Sequence, residues 1–241
     1  MDGREPVGIA YVSAYFEDRR QGRGFSRWYQ KVHFRDVGEI GVLENPLMFH
    51  SVAEGVQPDL NQYLAMYELY RDDLEAAMAE FSQHSGHLRE DFDRQRATRS
   101  PTRGIYRVIH RVMESGAKLR SECLLAERIE CEDASRADEL RRWLTDVRLP
   151  QVLGLGLHHT LTVGESVGGQ AAGEAPSGLR FLTLYESDSA DARKVAADVA
   201  RGCPPPNPPA GLMLQYAAFE RARALPQKLS FGADEESGEI G

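Results

Sequence analysis

Within the stretch GFSRWYQKVHFRDVG, residues 24–38, a tyrosine, a histidine and an aspartate fall at Tyr29, His33 and Asp36. On a helix the spacing i, i+4, i+7 brings all three onto one stripe, with Trp28 beside them. An aspartate three residues from a histidine can accept a hydrogen bond from the imidazole, fix its tautomer and raise its basicity, as a general base requires. Such a base serves proton abstraction next to a carbonyl, in an apolar pocket that also stabilises an enolate. The residues also have a plainer reading. Trp28, Tyr29 and Val32 would pack on a sheet while His33 and Asp36 cap the helix end, where an imidazolium suits the negative end of the dipole.

Further polar side chains lie on segments that read as strands. Tyr11, Tyr15, Tyr67 and Tyr185 offer phenol donors and aromatic walls, although tyrosines at strand spacing commonly serve packing. His110, in YRVIHRV, shares a face with Tyr106, Val108 and Val112, with Arg107 and Arg111 on the other. His159 shares a face with Leu155, Leu157, Leu161 and Val163, and His50 ends a strand that Pro46 bulges. Trp28, Tyr11, Tyr15, His50, Tyr67, His110 and His159 are thus the candidate substrate contacts around a catalytic His33, Asp36 and Tyr29. His84 and His87 are spaced i, i+3, which a solvated helix end explains. No cluster has convincing metal-ligand spacing, and neither G-x-G-x-x-G nor a P-loop occurs, so no metal or nucleotide cofactor is expected.

The elements that must position these residues occur twice. YLAMYELYRDDLEAAMAEF (63–81) lines up with FLTLYESDSADARKVAADVA (181–200) at a spacing of 118, and SRWYQKVHFRDVG with RRWLTDVRLPQVLG (141–154) at 115. In the first copy, 7–16 reads as a strand. The apolar residues Phe25, Trp28, Tyr29 and Val32 then make a helical stripe, and 40–52 and 63–70 read as strands. A helix capped by Asp72 follows, and 104–114 closes the copy as a strand. The second copy repeats this with strands at 123–131, 153–163, 179–186 and 212–222, and helices opened by Asp133 or Ser135 and from about 189 to 202. Two β-α-β-β-α-β units in tandem predict an α+β chain of two ferredoxin-like folds. Their apolar sheet faces would pack face to face, around an enclosed space for a small ligand. The boundaries fall at 1–115, 116–225 and an acidic, disordered tail at 226–241, and the Gly/Ala-rich loop 164–178 joins the strands at 153–163 and 179–186.

Composition narrows the partners. A chain of 241 residues with 41% hydrophobic and 27% charged residues is ordinary for a soluble protein, and no apolar run approaches the roughly 18 to 20 residues that span a bilayer. The start, MDGREPVGIA, lacks a signal pattern, which points to the cytoplasm and away from membranes. The three cysteines, Cys123, Cys131 and Cys203, suggest reduced thiols. A net charge of -8, with arginines interleaved by acids, argues against nucleic acid.

On these residues the first copy resembles the EthD-like members of the dimeric α/β-barrel superfamily. That signature is an aromatic, a W-Y pair, a histidine four residues after the tyrosine and an aspartate three further on, matched by Phe25, Trp28, Tyr29, His33 and Asp36. Arg35 stands where the family often has proline. The second copy keeps Trp143 but carries Leu144, Arg148 and Gln151 in place of the tyrosine, histidine and aspartate, with Pro150 restoring the proline. The resemblance implies an intrachain pseudo-dimer, with further homodimerisation left open. It also implies a cofactor-independent enzyme of lyase or isomerase type, a cyclase or dehydratase, on a small apolar carbonyl or phenolic metabolite. The alternatives it leaves are a small-molecule-binding accessory protein, and a haem- or quinol-type monooxygenase.

Overall fold

The computed structural model describes residues 5–52, 61–93, 99–114, 121–168, 179–205 and 208–222. The first half runs β1 (Gly8–Phe16), α1 (Arg19–Trp28), a π-helical turn (Tyr29–His33), α2 (Phe34–Ile40), β2 (Glu44–Ser51), β3 (Asn61–Leu69), α3 (Leu74–His84), α4 (Gly86–Asp93) and β4 (Arg99–Met113). The second runs β5 (Cys123–Cys131), a short 3-10 turn (Ala134–Arg136), α5 (Ala137–Arg142), a second π-helical turn (Trp143–Arg148), α6 (Leu149–Leu153), β6 (Thr160–Gly168), β7 (Leu179–Ser187), α7 (Ala192–Gly202) and β8 (Leu212–Arg221).

Local chemistry sets these boundaries. Asp18 caps α1 by accepting from the Arg20 amide, and α2 stops at Gly41, whose φ of 72° suits a residue without a Cβ. Ile40 therefore belongs to a helix, and the strand expected from residue 40 begins at Glu44. The bulge expected at Pro46 is present: the β2–β3 register slips between Glu44 and Leu47. The cap of α3 is Asp73, accepting from the Ala76 amide at 2.9 Å, rather than its neighbour Asp72. The strand expected over 153–163 begins only at Thr160, because Pro150 sits in the first turn of α6 and Gly156 turns the chain at φ 63°. β6 extends into the expected Gly/Ala-rich loop as far as Gly168; residues 169–178 and the expected acidic tail lie outside the described residues.

The eight strands close a barrel in the order β1-β3-β2-β8-β5-β7-β6-β4, every neighbouring pair antiparallel. Each half contributes a four-strand sheet of the same internal order, β4-β1-β3-β2 and β8-β5-β7-β6. The seams are β2 with β8, where His50 faces Glu220, and β4 with β6. The β2–β8 seam is short, joining Phe49, His50 and Ser51 to Arg221, Glu220 and Phe219.

One buried cluster contains strand residues only: Ile9, Tyr11, Phe49, Leu64, Met66, Tyr106, Leu124, Ala126, Leu182, Leu184 and Phe219. Alternate side chains of a closed barrel point inward, and an eight-stranded barrel is just wide enough to be filled by them. Side chains thus occupy the space where the sequence suggested a chamber between the sheets. Leu64, Leu124 and Phe219 are fully buried there, each worth roughly 1.5–3 kcal/mol of burial. Two other clusters join helices to the outer sheet surface. One is built on Phe16, Phe25, Tyr29, Tyr67, Leu74 and Leu88, the other on Leu140, Trp143, Leu144, Val152, Tyr185 and Val199. Cys123, Cys131 and Cys203 are free and buried.

Candidate functional site

The stripe of apolar residues from Phe25 to Val32 predicts a regular α-helix, but Tyr29–His33 is a π-helix in which the Phe34 amide donates to Tyr29 O, five residues back. The wider turn stacks residues four apart: His33 lies under Tyr29 with ring centroids 4.4 Å apart and against Trp28 at 5.0 Å. Side chains engage the backbone just before this turn, Gln30 Nε2 donating to Ser26 O and Oγ. The second half repeats the turn at Trp143–Arg148, where Thr145 Oγ1 donates back to Arg141 O. Such turns recur at functional sites, and hydrophobic periodicity alone does not reveal them.

Around His33 the sheet and helices form an aromatic nest. Tyr67, rising from β3, donates its hydroxyl to that of Tyr29 at 3.1 Å, and both rings are buried. Phe34 packs edge-on against both, and Phe25 and Trp28 flank Tyr29. Burial pushes the Tyr29 phenol up to about 12 and the Tyr67 phenol well above its usual range, so both are neutral donors at neutral pH. His33 is 7% exposed. Burial lowers its imidazole to about 4, outweighing the opposing pull of Asp36, while Arg103 on β4 lowers it further and Asp91 on α4 raises it.

This corrects one expectation. The Asp36 carboxylate accepts from Arg35 Nε and Nη2, at 3.3 and 3.1 Å, and acts on His33 through its field. It therefore does not raise the histidine's basicity above the ordinary value, because desolvation of the imidazolium costs more than that field returns.

His158 is also lowered to about 4 by burial. An imidazole that resists protonation when folded favours the folded chain above its unfolded pKa of about 6.5. Stability is therefore expected to fall as pH drops from 6.5 through about 4, the value to which both histidines are lowered. The slope approaches about 1.4 kcal/mol per pH unit for each histidine. Urea denaturation of the wild type and of His158→Gln at pH 7 and pH 5 checks this: the substitution should shrink the pH dependence.

The remaining sequence candidates scatter. Tyr11 lies inside the barrel, on the opposite side of the sheet from Tyr29, and the Tyr15 hydroxyl accepts from Gln62 Nε2 at 3.1 Å. His50 sits at the β2–β8 seam, 3.7 Å from Glu220, and His159 precedes β6 in the second half, its Nδ1 3.0 Å from Thr160 Oγ1. A register shift between Val108 and His110 moves the faces of β4. Arg111, expected on one face with Arg107, instead reaches Glu68 at 3.4 Å, while Arg107 is exposed. Trp28, Tyr29, His33 and Tyr67 come together with Asp36 at the rim; Tyr11, Tyr15, His50, His110 and His159 do not join them. Among the described residues no three His, Cys, Asp or Glu side chains converge as a metal site would need.

The matching position of the second half holds a group of residues that the motif comparison missed. Arg148, in place of His33, is fully buried and pairs with the fully buried Glu127 on β5 at 2.9 Å. Tyr185, the counterpart of Tyr67, donates to the other Glu127 oxygen at 2.5 Å, and Arg148 Nη1 donates to Cys203 O at 2.7 Å. The signal was available: in CLLAERIEC, Glu127 alternates with Leu125 and Ile129 on a buried face, where a carboxylate requires a partner. A shallow surface depression of about 310 Å³ over Trp143, Asp146 and Val147 also lies on this half, away from the His33 nest.

No protein-family model matches the sequence, and no curated protein matches it at a significant level. Solved structures do match. A provisionally described monooxygenase of Fusobacterium nucleatum subsp. nucleatum aligns with TM-score 0.50 and 10% identity, over 92% of this chain and 98% of its own. A second provisionally described monooxygenase, from Lactobacillus acidophilus, aligns with TM-score 0.48 and 8% identity over 90% and 97%. An anthrone oxidase-like protein aligns with TM-score 0.45 and 13% identity over 92% and 96%. At such identities the likeness concerns the fold alone, and only the first is close enough to argue from. The chain is an α+β protein with a closed antiparallel eight-stranded barrel.

Proposed function

We propose that the chain is a fused, EthD-like pair of ferredoxin-like halves, 1–115 and 116–225, that acts in the cytoplasm without a cofactor on a small apolar carbonyl or phenolic metabolite. Only the first half is active. The observation that carries this reading is the contrast between equivalent positions. A neutral imidazole and a hydrogen-bonded phenol pair are held ready in an aromatic nest in one half, while Arg148, Glu127 and Tyr185 satisfy one another in the other.

The apolar rings of Phe25, Trp28 and Phe34 suit a flat, weakly polar substrate, and the Tyr29–Tyr67 pair can donate to its oxygen. The field of Arg103, which already acts on Tyr29 and His33, favours negative charge developing on that oxygen. Neutral His33 takes the substrate proton and returns it elsewhere, which is the chemistry of cyclisation, dehydration or isomerisation. Mass spectrometry of small molecules that co-purify with the full chain tests this. The expected result is an aromatic or polyketide-like carbonyl compound that the protein converts on incubation, and that no longer co-purifies with Trp28→Ala. A hydrophilic or phosphorylated ligand whose retention is lost with Trp28→Ala would overturn it.

One observation favours a second reading. An imidazole lowered to about 4 is a weak base, so the nest also suits a protein that holds such a metabolite without changing it. Stoichiometric recovery of the unaltered compound decides for that reading.

A further inference from the structure

We propose that the barrel has a second, independent ligand site: its mouth on the Tyr11 and Tyr15 side binds a small anion, a carboxylate or phosphate head group, through Arg128 and Arg180. Both arginines alternate with core residues of the inner face, Arg128 with Leu124 and Ala126 on β5, and Arg180 with Leu182 and Leu184 on β7. Glu130 shares that face and register, opposite Arg180 across the β5–β7 pair. Its Oε1 is 2.9 Å from Arg128 Nη2 and 3.8 Å from Arg180 Nε. Two guanidinium groups thus share one carboxylate, which among the described residues of this cluster leaves one positive charge in excess.

Arg180 Nη1 is buried and finds no hydrogen-bond partner among the described residues. An unanswered donor on a charged, mostly buried group is costly, and an oxyanion that accepts it removes that cost. The phenols of Tyr11 and Tyr106 sit in the field of Arg128, and burial keeps both protonated, so they can donate to the same anion. The mouth is accessible, since the Arg128 and Arg180 side chains keep 23% and 17% of their exposure. A guanidinium offers the fork geometry that carboxylate and phosphate accept in pairs, which sets the ligand class. At the other end of the barrel the balance is reversed. Arg111 pairs with Glu68, and Ser121 hydrogen-bonds the buried Glu186, whose carboxyl is raised by its burial.

The test is thermal denaturation of the full chain in increasing potassium phosphate or sodium benzoate, against sodium chloride at equal ionic strength. The wild type should show a saturable rise in Tm with at least one of the two anions, beyond the chloride response. Whichever anion gives the tighter response identifies the head group. Arg180→Gln should weaken binding by about tenfold or more, while the exposed-site control Arg201→Gln and the His33→Gln variant should respond as wild type. If Arg180→Gln does not fold, Arg180→Lys keeps the charge but not the fork and should still bind more weakly. A wild-type response no larger than that to chloride overturns the proposal. So does full-strength binding in Arg180→Gln or, where that variant is unfolded, in Arg180→Lys. Because His33 lies outside the barrel wall, failure here leaves the first site untouched, and failure of that site leaves this one.

Discussion

Changing Arg148 to methionine is expected to destabilise the protein by about 3–5 kcal/mol, the usual consequence of leaving a buried charge without its partner. Glu127 is fully buried, and in the variant it would keep only the Tyr185 hydroxyl. The Cys203 carbonyl would lose its Arg148 donor as well. The double change Glu127→Gln with Arg148→Met should recover most of the loss, because it removes the charge while Tyr185 can still donate to the amide oxygen. Urea denaturation of the wild type, Arg148→Met, Glu127→Gln and the double variant measures the cycle, and an Arg148→Met variant within about 1 kcal/mol of wild type would show that this network is not a buried ion pair in solution. The functional corollary is that the double variant, once folded, should turn over substrate like the wild type.

His33→Gln is expected to lower kcat by about 10² to 10⁴ with the fold intact, the range in which a positioned base contributes. Glutamine keeps hydrogen-bonding capacity and approximate size but cannot take up a proton at ordinary pH. Since burial lowers His33 to about 4, the neutral, proton-accepting form prevails above that value. The wild-type rate should therefore be level from about pH 5 upward and fall as the pH drops through about 4. An ordinary exposed histidine would place that fall near its unperturbed pKa of about 6.5. Tyr67→Phe, which removes the 3.1 Å donor to Tyr29, should produce a smaller drop without moving this limb. Unchanged turnover in His33→Gln would remove the residue from the mechanism and leave the metabolite-holding reading.

How much of this was legible in the sequence depends on the range over which each feature is fixed. The duplicated order of elements could be read, because a strand or amphipathic helix is encoded in neighbouring residues, and the second copy supplied an independent reading of the first. The Pro46 bulge was equally local. Trp28, Tyr29, His33 and Tyr67 were picked out by residue type and spacing, and they do meet. The π-turn that stacks them was not visible, since an inserted backbone bond changes the phase of the helix without changing its composition. The same holds for β4, where one slip of register carried Arg111 to Glu68.

The sequence by itself determined two similar halves and an intact motif in only one of them. Tertiary structure decided where that motif points. The sheets join edge to edge at β2–β8 and β4–β6, so their inner faces fill one another with side chains, and the candidate site lies between sheet and helices. Tertiary structure also decided the protonation of His33. The attraction of Asp36 can be anticipated from a spacing of three residues, but the larger effect is desolvation by burial within the folded chain. That effect exists only once residues distant in the chain have excluded water together.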